Sequence, residues 1–444
     1  MGIFKSILLG AALLLVGTSI IGQEESRSWT SKANGRQFKG AFVKVEGDAI
    51  SIRSDADNVV FQVKKSDLIQ ADWDWITENY PKPKAAAEPV EIEDLSGLIT
   101  GITASIGTPV VGVLLVKDGK VQGIGVNGIR KVGSDEIAEP DDKWHLGSCT
   151  KSLTATLAAT FVEEGAITWE TTISEVLGKD VKMLEDYETV TLGTLLANRS
   201  GLPKSVPNSV YGDLDFGAQV ADLKDNEIIE GRTMYVEAAL NLKPVSKTGS
   251  AYEYSNSGFV VVGAMLEKIS GKPWEKLIEE RIYKPLEMEN SGFGNAAHGD
   301  KNKPTQPWPH ANSTTPVGPE GVDDNGWVIG PAGTAHCSLK DTARYITMQA
   351  TREVGPVLKQ KETYEFLHTA VPQNNNYARG WIVTSTAWAG GPALTHDGSN
   401  TMNHCSFWVA PETGNAGAAF TDCAEKGRET CMAAVDAVVR KYLK

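Results

Sequence analysis

No run of lysine or arginine occurs in this chain, cysteine is scarce, and past the first two dozen residues no apolar stretch is long enough to span a bilayer. Each absence excludes something. With a formal net charge of −13 and no basic patch, nucleic acid and anionic membrane are poor partners. The five cysteines (Cys149, Cys337, Cys405, Cys423, Cys431) are odd in number, so at least one stays unpaired, and they are too sparse for a disulfide scaffold. Their spacing fits no zinc pattern, and His298, His336, His368 and His404 show none either. We read these histidines as structural and most of the cysteines as small buried hydrophobes, and expect no metal and no cofactor. What the chain does have is 41% hydrophobic residues and eleven tryptophans spread along 444 positions, which marks a globular protein of two or three units.

Residues 1–22 read as an export signal. Lys5 sits in a short basic head, Ile7 to Ile21 is almost wholly apolar, and small residues lie near Gly22 before the polar Gln23-Glu24-Glu25. The apolar core is shorter than the roughly 20 residues of a spanning helix, and no cysteine offers a lipid anchor. An uncleaved anchor is the alternative; the expectation is a periplasmic or secreted protein with no stable membrane span. Residues 27–79 alternate with period two around Ala41, Val43, Val45, Ile50, Ile52, Val59, Phe61 and Val63, and Ser66 caps a short helical piece with Trp73 and Trp75. This small β-rich, barrel-like module resembles the Sla-homology type of domain through Arg27-Ser28-Trp29-Thr30, the strands and Leu68 to Ile76. The resemblance implies docking to a protein or to the cell envelope. Three prolines among Tyr80 to Pro89 then favour an extended spacer over residues 80–91.

The remainder, residues 92–444, has strand signals at its two ends and helices between. Leu95 to Ile106 is helical; Pro109 to Lys117 and Val121 to Val126 form a hairpin; strands return at Gly380 to Thr384, Ala393 to Thr395, Cys405 to Val409 and Ala416 to Thr421, before a helix from Ala424 to Leu443. That predicts an α+β domain: an antiparallel sheet from 92–147 and 376–444, flanked by helices, with a helical region (148–375) inserted.

Three short motifs carry the chemistry. Ser148-Cys149-Thr150-Lys151 is the chain's only Ser-x-x-Lys, and it opens a helix whose apolar positions are Leu153, Leu157, Phe161 and Val162. Serine is a poor nucleophile without a base, and an amine three residues on shares its helix face. Taken alone, the motif is matched as well by a capping serine and a solvated lysine. Tyr254-Ser255-Asn256 is the only Tyr-x-Asn; Asn256 can cap the helix that follows and hold Lys151 and a substrate carbonyl, while a tyrosine beside an ammonium is favoured as phenolate and so can act as base. His396-Asp397-Gly398-Ser399 ends a strand, where Gly398 admits a substrate to the strand edge and the Ser399 N–H can join that of Ser148 as an oxyanion hole. Lys247-Thr248-Gly249 precedes Tyr254 with no strand after it and is set aside. His145-Leu146-Gly147 reads as a simple lead into the nucleophile. The Pro-rich stretch Pro304 to Pro319, with Trp308 and His310, reads as an ordinary surface loop rather than an entrance wall.

Ser-x-x-Lys, Tyr-x-Asn and His-x-Gly in this order resemble the serine β-lactamase-related hydrolases: class C β-lactamases, D-alanyl-D-alanine peptidases and family esterases. Supporting stretches are Val190 to Pro203, Ile282 to Met288 and Gly330-Pro331-Ala332-Gly333. The resemblance implies an acyl-enzyme on Ser148, proton transfer by Lys151 and Tyr254, substrate positioning by Asn256, and a site wall of His396 and Gly398, acting on a small-molecule or peptide substrate. Members that destroy β-lactams usually carry lysine where His396 stands. The expectation is therefore an ester or amide hydrolase, with a D-alanyl-D-alanine carboxypeptidase or a β-lactamase proper as alternatives. A binding or scaffold protein with a relic fold is a further one, against which the intact motif residues speak.

Overall fold

The computed structural model describes residues 26–46, 49–57, 59–79, 92–207, 218–297, 302–318, 324–372 and 376–443. The expected export signal and the spacer at 80–91 lie outside the described residues, as does His298. The chain divides into two compact units, residues 1–90 and 91–444.

The first unit is a meander of four antiparallel strands, β1 (Ser26–Thr30), β2 (Gln37–Glu46), β3 (Ala49–Ser54) and β4 (Val60–Lys64), followed by helix α1 (Gln70–Asn79). Among the described residues β1 does not pair with β4, so the sheet is open rather than a closed barrel. Trp29, Phe42, Ile50, Ile52, Leu68 and Ile76 form its core. Trp29 also donates its indole N–H to Gly40 O at 2.9 Å, which satisfies the one polar atom that burying it would otherwise strand.

The second unit begins with β5 (Glu93–Asp94), α2 (Ser96–Ile102), β6 (Val110–Lys117), β7 (Lys120–Gly128) and β8 (Lys143–His145). Its middle carries α3 (Thr150–Glu163), α4 (Ile173–Leu177), α5 (Glu185–Glu188), α6 (Leu192–Leu196), α7 (Asp225–Leu240), α8 (Asn256–Ser270) and α9 (Trp274–Ile278), then β9 (Ser291–Phe293), β10 (His310–Asn312) and β11 (Thr315–Pro316). After α10 (Gly330–Gly333), β12 (Ala335–Ser338), α11 (Leu339–Thr351) and α12 (Lys361–His368), the chain returns to sheet: β13 (Ile382–Ser385), β14 (Pro392–Ser399), β15 (His404–Ala410) and β16 (Asn415–Thr421), closed by α13 (Gly427–Tyr442).

The main sheet has the order β13-β14-β15-β16-β6-β7-β5. The last strand of the chain thus lies beside the first long one, and all neighbours are antiparallel except the two-residue β5 on β7. Strand β6 is buried along almost its whole length because both faces are covered. Val111, Val113 and Leu115 pack on α2 and α13 with Leu95, Ile99, Val435 and Val438, while Val110, Leu114 and Val116 face the helical region. Burying each such side chain stabilises by about 1.5–3 kcal/mol.

The inserted region is not wholly helical, since its β9 and β12 form a small antiparallel sheet with β8, which precedes it. The Pro-rich stretch is not an ordinary surface loop either. Trp308 and His310 are buried, and His310 Nε2 accepts the Val132 N–H at 3.1 Å while its Nδ1 stands 3.3 Å from Asp422 Oδ2. The stretch therefore ties the segment after β7 to the end of β16; Pro319 lies outside the described residues. All five cysteines are buried and free.

Candidate active site

The chain leaves β8 and turns through Gly147, at φ 46°, into a single 3-10 turn (Gly147–Cys149) that runs straight into α3. That turn holds Ser148 at the edge of a helix in which every residue from Thr150 to Phe161 is buried. Lys151, one turn in, has no exposed surface. Its Nζ lies 3.1 Å from Ser148 Oγ, 2.8 Å from Asn256 Oδ1 and 2.8 Å from Ala332 O. Burial without a carboxylate partner pulls its pKa down to about 7, and repulsion from the exposed Lys204 adds to the effect. Two of the three contacts are to oxygens that only accept. A neutral amine has two hydrogens, which those oxygens take, so its lone pair is left for the Ser148 hydroxyl.

Asn256 does not cap α8. Ser255 does, its Oγ accepting the Gly258 N–H at 3.0 Å, and this frees the Asn256 amide for the site. With Oδ1 taken by Lys151 and Nδ2 donated to Ser205 Oγ at 3.3 Å, the amide has one orientation. Asn198, in the left-handed region at φ 54°, receives the Ser255 N–H on Oδ1 at 3.0 Å and so holds the turn before α8. The Tyr254 side chain lies beside Ser148, and Lys151 Nζ is 4.8 Å from its ring centre. Burial pushes the phenol's pKa well up, so the site favours neutral tyrosine rather than the phenolate that a neighbouring ammonium alone would suggest.

The His396-Asp397-Gly398-Ser399 motif lies within β14 rather than beyond its end. Pleating sends His396 and Asp397 to opposite faces, so the two side chains do not meet. His396 Nδ1 is 2.7 Å from Asp397 O and its Nε2 is 3.3 Å from Tyr377 Oη. Nδ1 therefore carries the hydrogen, and Nε2 accepts from tyrosine. Burial, with Lys151 nearby, brings the pKa of His396 down to about 4. On the other face burial opposes ionisation of Asp397, but His404, Ser406 and Arg428 outweigh it and hold the carboxyl at about 2. Gly398 is packed against the nucleophile turn so closely that a Cβ there would stand 1.9 Å from Leu146 O, and one on Gly147 would stand 2.2 Å from Ser399 N. The backbone of Ser399 is thereby brought beside that of Ser148.

The structure thus gathers Ser148, Lys151, Tyr254, Asn256, His396, Gly398 and Ser399 in one place. Residues 95–439 match the Beta-lactamase family. The chain belongs to that family. Among curated relatives, penicillin-binding protein 4 of Amycolatopsis lactamdurans is 22% identical over 316 residues, covering 67% of this chain and 76% of that protein. The unguisins hydrolase ungD' of Aspergillus campestris is 24% identical, covering 47% of this chain and 38% of its own length, and protein flp of Staphylococcus aureus is 24% identical over 62% and 53%. The chain thus spans about half, or less, of the last two. Two solved structures share the fold at a TM-score of 0.58: an octameric penicillin-binding protein homologue from Pyrococcus abyssi (23% identical, 78% of this chain and 76% of that one) and a D-stereospecific amidohydrolase from Streptomyces sp. (20% identical, 78% and 96%).

In this Beta-lactamase family member, three contributors to the site escape a reading by motif. Ala332 O acts through its backbone, which has no residue signature. Tyr377 stands outside the three motifs, although it sets the state of His396. His145 is more than a lead-in, because its Nδ1 accepts the Gly147 N–H at 2.9 Å. Lys247-Thr248-Gly249 lies in a turn, with Thr248 Oγ1 donating to Ser200 O at 3.2 Å. His336 and His368 are buried, bonded to Gly294 O and Gln349 Oε1, both at 2.8 Å. Among the described residues no three His, Cys, Asp or Glu side chains group as a metal site requires, and no helix is long and apolar enough to cross a membrane.

Proposed function

We propose that this chain is an exported serine hydrolase that cleaves an ester or amide bond through a covalent acyl-enzyme on Ser148. The observation that carries the reading is the fully buried Lys151, its hydrogens engaged by Asn256 Oδ1 and Ala332 O and its lone pair left for the serine. Ser148 Oγ attacks the carbonyl carbon as its proton passes to the Lys151 amine. The carbonyl oxygen becomes an oxyanion facing the N–H groups of Ser148 and Ser399. As the intermediate collapses, the leaving group departs with a proton delivered through the neutral Tyr254 hydroxyl. Water then repeats the cycle on the acyl-enzyme and restores the serine.

His396 offers a substrate no positive charge at neutral pH, which favours neutral esters or amides over substrates with a carboxylate near the scissile bond. We assign the N-terminal sheet a docking role toward a protein or envelope partner. Mass spectrometry after a fluorophosphonate, and separately after a penicillin, tests the reading. The expected adduct sits on Ser148 and is lost in Ser148→Ala with the fold intact. A label on another serine, or one unchanged in Ser148→Ala, rejects the proposal. Rapid, long-lived acylation by penicillin would favour the peptidase alternative.

A further inference from the structure

An oxyanion pocket made of backbone N–H groups has no side chain of its own, so its precision depends on whatever holds the two backbone segments in register. We propose that Asp324 is the positioning residue for this pocket: its carboxylate bridges the turn that carries Ser148 and the turn that follows Ser399. The inference deepens the acyl-enzyme reading and rests on it.

The bridge can be followed atom by atom. Gly147 N–H donates to His145 Nδ1 at 2.9 Å, so Nδ1 is the unprotonated nitrogen and Nε2 carries the hydrogen. Nε2 stands 2.9 Å from Asp324 Oδ1, at an approach too oblique for an aligned hydrogen bond, which leaves an electrostatic contact. Asn400 Nδ2 donates to the same Oδ1 at 2.9 Å. Asn400 is itself fixed, its Oδ1 accepting the N–H groups of Met402 at 3.1 Å and Asn403 at 2.8 Å. One carboxylate oxygen therefore reaches the nucleophile turn through His145 and the end of β14 through Asn400.

The neighbouring residue extends the bracket. Asn325 N–H donates to Asp324 Oδ1 at 2.6 Å, and Asn325 Nδ2 donates to Gly333 O at 2.6 Å, one residue beyond the carbonyl that takes the Lys151 amine. Asp324-Asn325 thus touches three separate pieces of the machinery. The close packing of Gly147 on Ser399 sets how near the two backbones come, and Cys149 Sγ donates to His396 O at 3.2 Å beside it. The Asp324 carboxylate adds a polar tie to both turns, and with its side chain only 12% exposed the attraction is weakly screened.

The test uses the full chain and a fluorophosphonate, whose reaction forms the Ser148 Oγ–P bond, expels fluoride and sends the serine proton to Lys151 while charge gathers on the phosphoryl oxygen. Time courses separate the binding constant KI from the limiting rate kinact. Asp324→Ala should lower kinact about 100-fold, the loss of roughly one oxyanion donor, with KI nearly unchanged. Asp324→Asn keeps an oxygen for His145 and Asn400 and should recover much of the rate. Asn400→Ala should resemble Asp324→Ala, and the double variant should be hardly worse than either. If Asp324→Ala fails to fold, Asn400→Ala still decides. A kinact within about threefold of wild type in Asp324→Ala or Asn400→Ala would overturn the inference, as would losses that merely follow Tm. A wild type that takes no label on Ser148 would sink the acyl-enzyme reading and the bracket with it, so the two failures are told apart.

Discussion

A lysine with no exposed surface and no carboxylate beside it gains by losing its proton, and Lys151 is held in that situation by the packing of α3. Its pKa of about 7 sets the acid side of the pH profile. Below that pH the protonated amine cannot accept the serine proton, so kcat/KM should rise through pH 7 and level off above it, a limb that stopped-flow ester hydrolysis would resolve. Lys151→Ala and Tyr254→Phe should each cost about 10²–10⁴ in turnover, with a double variant little worse; additive losses would mean separate roles. His396→Lys should improve kcat/KM for a chromogenic cephalosporin relative to a p-nitrophenyl ester. A wild type already faster on the cephalosporin would refute the preference for neutral substrates. The side chains of Ser148, Lys151, Tyr254, Asn256 and His396 were legible because each motif puts a distinctive residue type at a fixed spacing. Tyr377 and the carbonyl of Ala332 were not, since tyrosines are common in cores and every residue has a carbonyl. The phenolate expected at Tyr254 rests on a charged neighbour alone, whereas burial, which spacing does not reveal, pushes the phenol's pKa up.

At the scale of elements, the decisive contact is β14 against the nucleophile turn. A methyl group on Gly398 would meet Leu146 O at 1.9 Å, so backbone, and not a flexible side chain, would have to move. Gly398→Ala is expected to destabilise by about 3 kcal/mol or more and to lower Tm, as differential scanning calorimetry would show; a stable variant would mean that β14 has slack there. The sequence marked β14 but ended it at Thr395, because His-Asp-Gly-Ser has the composition of a turn. Pairing with β15, Gly398 opposite Cys405 and Ser399 opposite His404, carries the strand onward. Strand β12 went unseen for a different reason: all four residues are buried, so no alternation of polar and apolar positions betrays it.

At the scale of the whole molecule, the sheet made from both ends of the second unit was legible, because strand patterns cluster at those ends and helical ones between them. Residues 91–444 form a compact unit containing the whole gathered site, so cutting the chain between Lys82 and Glu91 should release a soluble fragment that still labels with fluorophosphonate. An insoluble or unreactive fragment would make the N-terminal sheet part of the catalytic body. The adjacency of β6 and β16 also sets a clock. Cys149, beside the nucleophile, leaves the ribosome 247 residues ahead of His396. On the acyl-enzyme reading, a growing chain over that interval carries Ser148 without the Ser399 half of its oxyanion pocket, which is completed only when β14 to β16 add to the free edge of β6.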